Sequence, residues 1–282
     1  MKQTFSMIER RNFGSRLAAH LYLWVLLLVL YAPIILIIVF SFTKSKVFGN
    51  WTGFTFGLYE NLFTGYDYTA EVRVDPNLYR ALIYTAVIAV VAAFISTVLG
   101  TLAAIGIYNM RQRSRQVVSF MNAIPMINPD ILTGISLFLL FVFLGINRGL
   151  GTVIAAHVVF CTPYVILSVM PRLKKMNPNI YEAALDLGAT PIQALHKVLV
   201  PELWPGMVSG FILSLTLSID DFGVTFFTKG SNGLETLSTF IYADARKGGL
   251  TPELRPLFTL IFLTILVLLI IINIRTNKQV KK

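Results

Sequence analysis

The sequence predicts an all-α membrane protein, a bundle of six transmembrane helices, and three observations lead there. The 282 residues are 55% hydrophobic and 13% charged, with a mean hydropathy of +0.70. A water-soluble chain of this size needs far more polar surface, whereas lipid accepts apolar side chains directly. Six apolar stretches are each long enough to cross about 30 Å of hydrocarbon, which takes about 20 helical residues. The net charge of +10 is spread between those stretches and gathers on no single face, so it reports topology rather than a nucleic-acid surface. Cys161 is the sole cysteine, which excludes an internal disulfide and a cysteine metal cluster. Inside an apolar stretch it reads as a small core residue.

A short arm, 1–16, leads into the first span, Leu17–Phe42. Its apolar run exceeds the roughly 7–15 residues of a signal-peptide core, and the following SFTKSKVFGN offers no small-residue cleavage site. It is therefore expected to remain as an uncleaved helix, kinked at Pro33. The segment from Thr43 to Arg80 is rich in aromatics, among them Trp51, Phe54, Phe56 and Tyr59, which suits a folded cap or a protein-binding rim. The second span is Ala81–Tyr108. The third, Val117–Ile146, carries Pro125 as an expected kink, which membrane helices tolerate when neighbours satisfy the freed backbone groups. The fourth, Thr152–Val169, is interrupted by Pro163 and closed by Pro171. The fifth is Gly206–Phe227 and the sixth Leu257–Ile274, before a basic tail, 275–282. The plan is one transmembrane domain, 17–274, holding a loop at 173–204.

Six spans put both ends on one side of the membrane. That side, with the loops at 109–116 and 170–205, carries fifteen of the 24 Lys and Arg against four acids. Its bases include Arg111, Arg113, Arg115, Arg172, Lys174 and Lys175, together with Lys2, Arg10, Arg11, Lys281 and Lys282 at the ends. The opposite side holds nine bases and seven acids. The positive-inside rule then places both termini and the 173–204 loop in the cytoplasm.

That loop contains EAALDLGATPIQALHKVLVP, Glu182 to Pro201. Asn177-Pro178-Asn179 supplies a helix start. Glu182 and Asp186 share a face, and Glu182 lies early enough to favour the helix dipole. Gly188 ends the helix, because a left-handed residue costs glycine nothing. Thr190-Pro191-Ile192-Gln193 is a capping box for a second helix. Ile192, Leu195 and Leu199 form an apolar stripe on it, and Pro201 is expected to stop it before the next span. Spacing alone leaves two readings: a loop that merely connects spans on the membrane surface, or a docking handle.

The pattern Glu-Ala-Ala, three residues, Gly, nine residues, an aliphatic residue, one more, then aliphatic-Pro resembles the cytoplasmic loop of type I ABC importer permeases. Here it falls on Glu182, Ala183, Ala184, Gly188, Val198 and Val200-Pro201; Val198 and Val200 stand where the family prefers Ile and Leu. FSFTKSKVFGNWTGFTFGLYENLF, MINPDILTGISLFLLF, FCTPYVILSVMPRLKKMNPNIYEAALDLGA and LSLTLSIDDFGVTFFTKG extend the likeness over nearly the whole chain, toward the spermidine/putrescine branch. The resemblance implies the six-helix type I permease (MetI-like) fold with a coupling helix, in a bacterial inner membrane. It implies a second permease, a dimer of ATP-binding subunits and an extracytoplasmic polyamine-binding protein as partners. Glu182, Ala183, Ala184, Gly188, Val198 and Pro201 would form the surface coupled to the ATPase. No Gly-x4-Gly-Lys-Ser/Thr loop occurs in this chain, so ATP is expected to bind the partner and no cofactor to bind here.

Only Asp130, Asp220 and Asp221 bring charge into the expected spans. A carboxylate at a helix centre costs about 2.5–3.5 kcal/mol on insertion scales, so each is expected to face a partner or an aqueous path. A polyamine path calls for spaced carboxylates with aromatic faces between them, which makes Phe222 and Phe226 candidates beside the aspartates. The plain alternative makes each Asp a helix cap or a buried acceptor; Asp130 follows Asn128-Pro129 and suits a cap. Neighbours on one helix point about 100° apart, so Asp220 and Asp221 cannot both face one spot. His20, His157 and His196 lack metal-ligand spacing and read as structural or interfacial. An intramembrane aspartyl protease would need its Gly-x-Gly-Asp pattern, which neither Asp site offers. A secondary transporter would need no docking loop. Ferric iron, an aminophosphonate or thiamine would keep the fold and change the cargo.

Overall fold

The computed structural model describes residues 13–45, 47, 49–67, 72–177, 179–231 and 233–280, and divides them between two compact units. The arm residues Lys2, Arg10 and Arg11, together with Pro178, Lys281 and Lys282, lie outside the described residues.

The first unit joins the chain up to Asp75 with the chain from Asp244. Helix α1, Phe13–Phe40, carries Pro33 without interruption, and its Ala19–Phe40 portion is long and apolar enough to cross a membrane. The aromatic residues after it cluster. Phe42 stacks on Phe54 at 5.4 Å and meets Phe56 and Tyr59 edgewise or tilted, while the Ser41 and Tyr59 hydroxyls share a hydrogen bond of 2.8 Å. Helix α2, Gly57–Thr64, precedes a two-residue antiparallel pair, β1 (Tyr66–Asp67) and β2 (Val72–Arg73). The long final helix, named α12 below, packs on α1 and α2.

In the second unit α3 (Pro76–Tyr108), α6 (Leu150–Lys175) and α9 (Val200–Asp220) pack on one another. Their core holds Ala104, Ile107, Val165, Val169, Leu173 and Leu203. Small residues let the backbones close up, the packing that lipid favours because apolar contact with a neighbour gains nothing over contact with acyl chains. A side chain at Gly100 would strike Val165 at 2.6 Å. Pro163 and Pro171 lie inside α6, which continues to Lys175. The expected interruption and closure of the fourth span are therefore corrected: packing against α3 and α9 outweighs two missing backbone donors.

The third expected span is also corrected. It is two helices, α4 (Gln112–Ile127) and α5 (Asp130–Phe143), bent by 104°. The bend is not at Pro125, which sits inside α4, but at Asn128, extended at φ −71° and ψ 142°. Pro129 follows Asn128, and the proline ring drives the preceding residue out of the helical region. The fifth expected span ends at Asp220; Asp221 is extended at ψ 130°, and the short helix α10, Gly223–Thr228, follows. Asp220 and Asp221 therefore do not share a helix. In the loop α7 is Ile180–Asp186 and α8 is Pro191–Ala194. The second unit closes within α11, Leu237–Arg246, whose residues up to Ala243 belong to it, and α12, Leu254–Val280, belongs to the first unit.

Among the described residues, four helices have the length and composition to cross a membrane, five if the bent α4–α5 pair is one span; Leu254–Val267 of α12 is a shorter apolar stretch. The two breaks lie side by side because glycines meet there. A Cβ on Gly134 of α5 would sit 2.7 Å from the Gly223 carbonyl, and one on Gly223 would sit 3.0 Å from the Ile131 nitrogen. Gly134→Ala is therefore expected to cost about 1–3 kcal/mol, as overpacking does, and to lower the melting midpoint of the detergent-solubilised protein. Gly106→Ala, with nothing within 4 Å, is expected to leave it unchanged or raised.

Candidate functional site

The loop folds as a helix–turn–helix. Asn179, not Asn177, stands at the start of α7, and its side chain makes no cap; Asn177 Oδ1 instead accepts the Asn179 N–H at 3.0 Å. At the other end Gly188 adopts φ +85°, a left-handed turn that a Cβ would oppose. Its N–H donates to the Leu185 carbonyl at 2.9 Å, and the Ala189 N–H donates to that of Ala184 at 3.1 Å. These paired bonds satisfy carbonyls that the helix end would leave orphaned. Thr190 and Gln193 then cap α8 reciprocally, at 3.3 and 3.0 Å.

Pro201 does not end this second helix, a further correction. The backbone passes through a π-turn, Leu195–Leu199, where the Val200 N–H reaches the Leu195 carbonyl, and continues into α9. Widening by one residue accommodates a chain in which Pro201 and Pro205 withhold their N–H groups. From Pro191 to Asp220 the helix runs for 30 residues. Glu182, Ala183, Gly188 and Pro201 are exposed, whereas Ala184 and Val198 are half-buried. Ala194 and Leu199 are buried, Leu195 is half-buried and Ile192 stands out at 78% exposure, so the apolar stripe is buried at one end only. Leu187 is 89% exposed. It adjoins Gly188 and escaped the sequence reading because an apolar residue before a helix-ending glycine looks like ordinary packing. Tyr181, Glu182, Ile192, Leu195 and Leu199 line one side of a cleft of about 430 Å³ whose other side is Ile105, Tyr108 and Leu173.

The aspartates divide at the adjacent breaks. Asp221 is 5% exposed. Its Oδ1 accepts the Val224 N–H at 3.2 Å, and its Oδ2 accepts both the N–H and the hydroxyl of Thr225 at 2.8 Å. Asp221 therefore holds the first turn of α10, the plain alternative raised for it above. Asp130 is the first residue of α5 and Pro129 its cap, so Asp130 contributes charge rather than a capping bond. Asp130 and Asp220 are both exposed.

Phe222 is half-buried and Phe226 exposed, with ring centroids 5.3 Å apart. Tyr242 of α11 completes the cluster, 4.8 Å from Phe222 and 5.8 Å from Phe226. No sequence signal marks Tyr242, which comes from a separate helix. Lys229 Nζ stands 5.9 Å from the Phe226 centroid and 3.5 Å from Glu235. His157 is fully buried between Ser218 and Thr225, at 2.6 and 2.9 Å, with Nε2 3.4 Å from Asp221 Oδ2.

A family model described as binding-protein-dependent transport system inner membrane component matches residues 96–277. The spermidine/putrescine transport system permease protein PotC of Haemophilus influenzae is 37% identical over 258 residues, 92% of this chain and 96% of its own. The PotC protein of Escherichia coli K12 is 37% identical over 86% of this chain and 87% of its own. The putrescine transport system permease protein PotI of the same strain is 36% identical over 82% and 81%. A chain of a bacterial ABC transporter involved in import of the acidic polysaccharide alginate superposes with a TM-score of 0.65 at 17% identity, covering 94% of this chain and 98% of that one. A chain of the MetNI methionine ABC transporter gives 0.53 at 24% identity, over 70% and 92%. At these identities the two structures speak for the fold alone.

The loop's turn is testable by hydrogen exchange. Thr190→Ala, which removes the cap, is expected to cost about 1 kcal/mol and to speed exchange at the Gln193 amide about fivefold. Gly188→Ala, forced left-handed at about 1–2 kcal/mol, is expected to do the same at Ala189.

Proposed function

Since the chain belongs to the family of binding-protein-dependent transport system inner membrane components, we propose that it is one permease of an ATP-driven importer of polyamines. One observation carries the mechanism. A doubly capped turn, exposed at Glu182, Ala183 and Gly188, runs without interruption into a 30-residue helix that ends at Asp220. At 1.5 Å per residue that helix is about 45 Å long, so a push on the loop moves the acidic end across the depth of a membrane. The chain is a transport subunit, and the ATP is hydrolysed by a dimer of partner subunits that grips Glu182, Ala183, Ala184 and Gly188. Leu187 and Ile192 add apolar anchors to the grip, and Val198 and Pro201 shape the helix behind it.

The second permease supplies the other half of the path, and an extracytoplasmic binding protein delivers the cargo. The protein sits in a bacterial inner membrane with both termini and the loop in the cytoplasm, as the excess of Lys and Arg there favours. The cargo follows from the relatives named for spermidine and putrescine, and the local chemistry agrees. Asp130 and Asp220 offer exposed carboxylates to a linear polycation. Phe222, Phe226 and Tyr242 offer ring faces worth about 0.5–2 kcal/mol per cation. Asp221 serves the path by holding α10 in place, so it contributes structure rather than contact.

In proteoliposomes holding the full complex, Asp220→Asn is expected to lower spermidine or putrescine uptake at least about tenfold, the effect of losing one charge-assisted contact, while co-purification of the partners is unchanged. Unchanged uptake there and in Asp130→Asn refutes the acidic path. Gly188→Trp and Leu187→Asp are expected to uncouple ATP hydrolysis from uptake. Intact uptake in both refutes the docking role.

A further inference from the structure

His157, set aside in the sequence as a structural histidine, lies where three helices meet. It projects from α6 between Ser218 in the last turn of α9 and Thr225 in the first turn of α10, and all three are buried. The direction of the bonds is determined by the chemistry of Thr225. Its single hydroxyl hydrogen goes to Asp221 Oδ2 at 2.8 Å, because an ionised carboxylate only accepts. On its other side the hydroxyl must therefore accept, and the donor is His157 Nε2–H at 2.9 Å. Ser218 Oγ completes the chain on Nδ1 at 2.6 Å. One continuous line of hydrogen bonds thus runs from the end of α9, through α6, to the carboxylate that caps α10. It crosses the gap in which the backbone is neither helix.

We propose that His157 is a positioning residue for transport: through Ser218 and Thr225 it sets the geometry of the gap between α9 and α10, and with it the place of Asp220. Asp220 is two residues from Ser218 and adjacent to Asp221, so both neighbours that determine its position are tied to this imidazole. The far end of α10 is approached separately by the Thr152 hydroxyl, whose one hydrogen is shared between the Gly149 carbonyl at 2.8 Å and the Thr228 carbonyl at 3.0 Å. Losing the histidine line therefore loosens the near end of α10, the end beside Asp220, and leaves the helix docked. The proposal rests on Asp220 lining the substrate path, and the measurements below separate the two.

The full complex is reconstituted in proteoliposomes and assayed for spermidine uptake. In a parallel series Asp220→Cys is introduced together with Cys161→Ala, and its rate of modification by a cationic methanethiosulfonate reports where position 220 stands. Thr225→Val keeps the volume and removes the hydroxyl. It is expected to raise the KM for uptake about tenfold, the loss of one charge-linked hydrogen bond, and to change the modification rate by a similar factor. Thr225→Ser keeps the hydroxyl and is expected to stay within about twofold of the parent on both readouts. Unchanged KM and unchanged modification in Thr225→Val overturn the proposal. So does a Thr225→Ser protein as impaired as Thr225→Val, since the position is then a matter of packing. If Thr225→Val does not assemble, Ser218→Ala decides, because it removes the outer end of the line and spares every bond of Asp221; an unchanged modification rate there overturns the proposal equally. Modification does not depend on cargo. A complex that moves no polyamine yet modifies differently in Ser218→Ala refutes the polyamine assignment and upholds the positioning role.

Discussion

A helix broken inside hydrocarbon exposes backbone N–H groups where no water can reach them, and each orphan costs several kcal/mol. The buried Asp221 carboxylate meets this constraint at the α9–α10 gap by accepting two backbone amides and one hydroxyl. Burying a charge carries its own penalty of several kcal/mol. Charge-assisted bonds of about 1.5–3 kcal/mol each offset it, and the first turn of α10 adds its dipole.

The neighbouring break is held differently. Pro129 brings no N–H to satisfy, and Asn128 is extended because the proline after it forbids the helical region. Gly134 and Gly223 then let α5 and α10 cross at near backbone contact. A capped break and a proline break become one structural feature through two missing side chains. Discontinuous helices of this kind gather polar groups at membrane depth because irregular backbone is tolerated there only against protein or a water-filled path.

Much of the loop was legible in advance, and for a local reason. Helix ends are decided by the few residues that form them, so Gly188 and the Thr190–Gln193 box could be read directly. Prolines misled in three places. Pro163, Pro171 and Pro201 all lie in helices that continue, because a missing donor is a fixed local cost while packing or a π-turn offsets it from outside the segment. The different surroundings of the paired acids were only half legible. Placing both on one helix followed from apolar length, but only the contacts of Asp221 with α10 separate a cap from an exposed neighbour. Tyr242 and Leu187 entered with the fold, one through distance in sequence and one through exposure.

The sequence by itself determined that the chain lives in a membrane, which side its charges favour, where the loop turns and which family it resembles. Those properties depend on composition, on side bias and on residues within a turn of one another. Tertiary structure alone decided where the spans break, that the loop and Asp220 are two ends of one helix, and that His157 joins three helices. The reason is physical: a backbone gap in hydrocarbon persists only if groups from distant parts of the chain satisfy it, and no local pattern records which groups those will be.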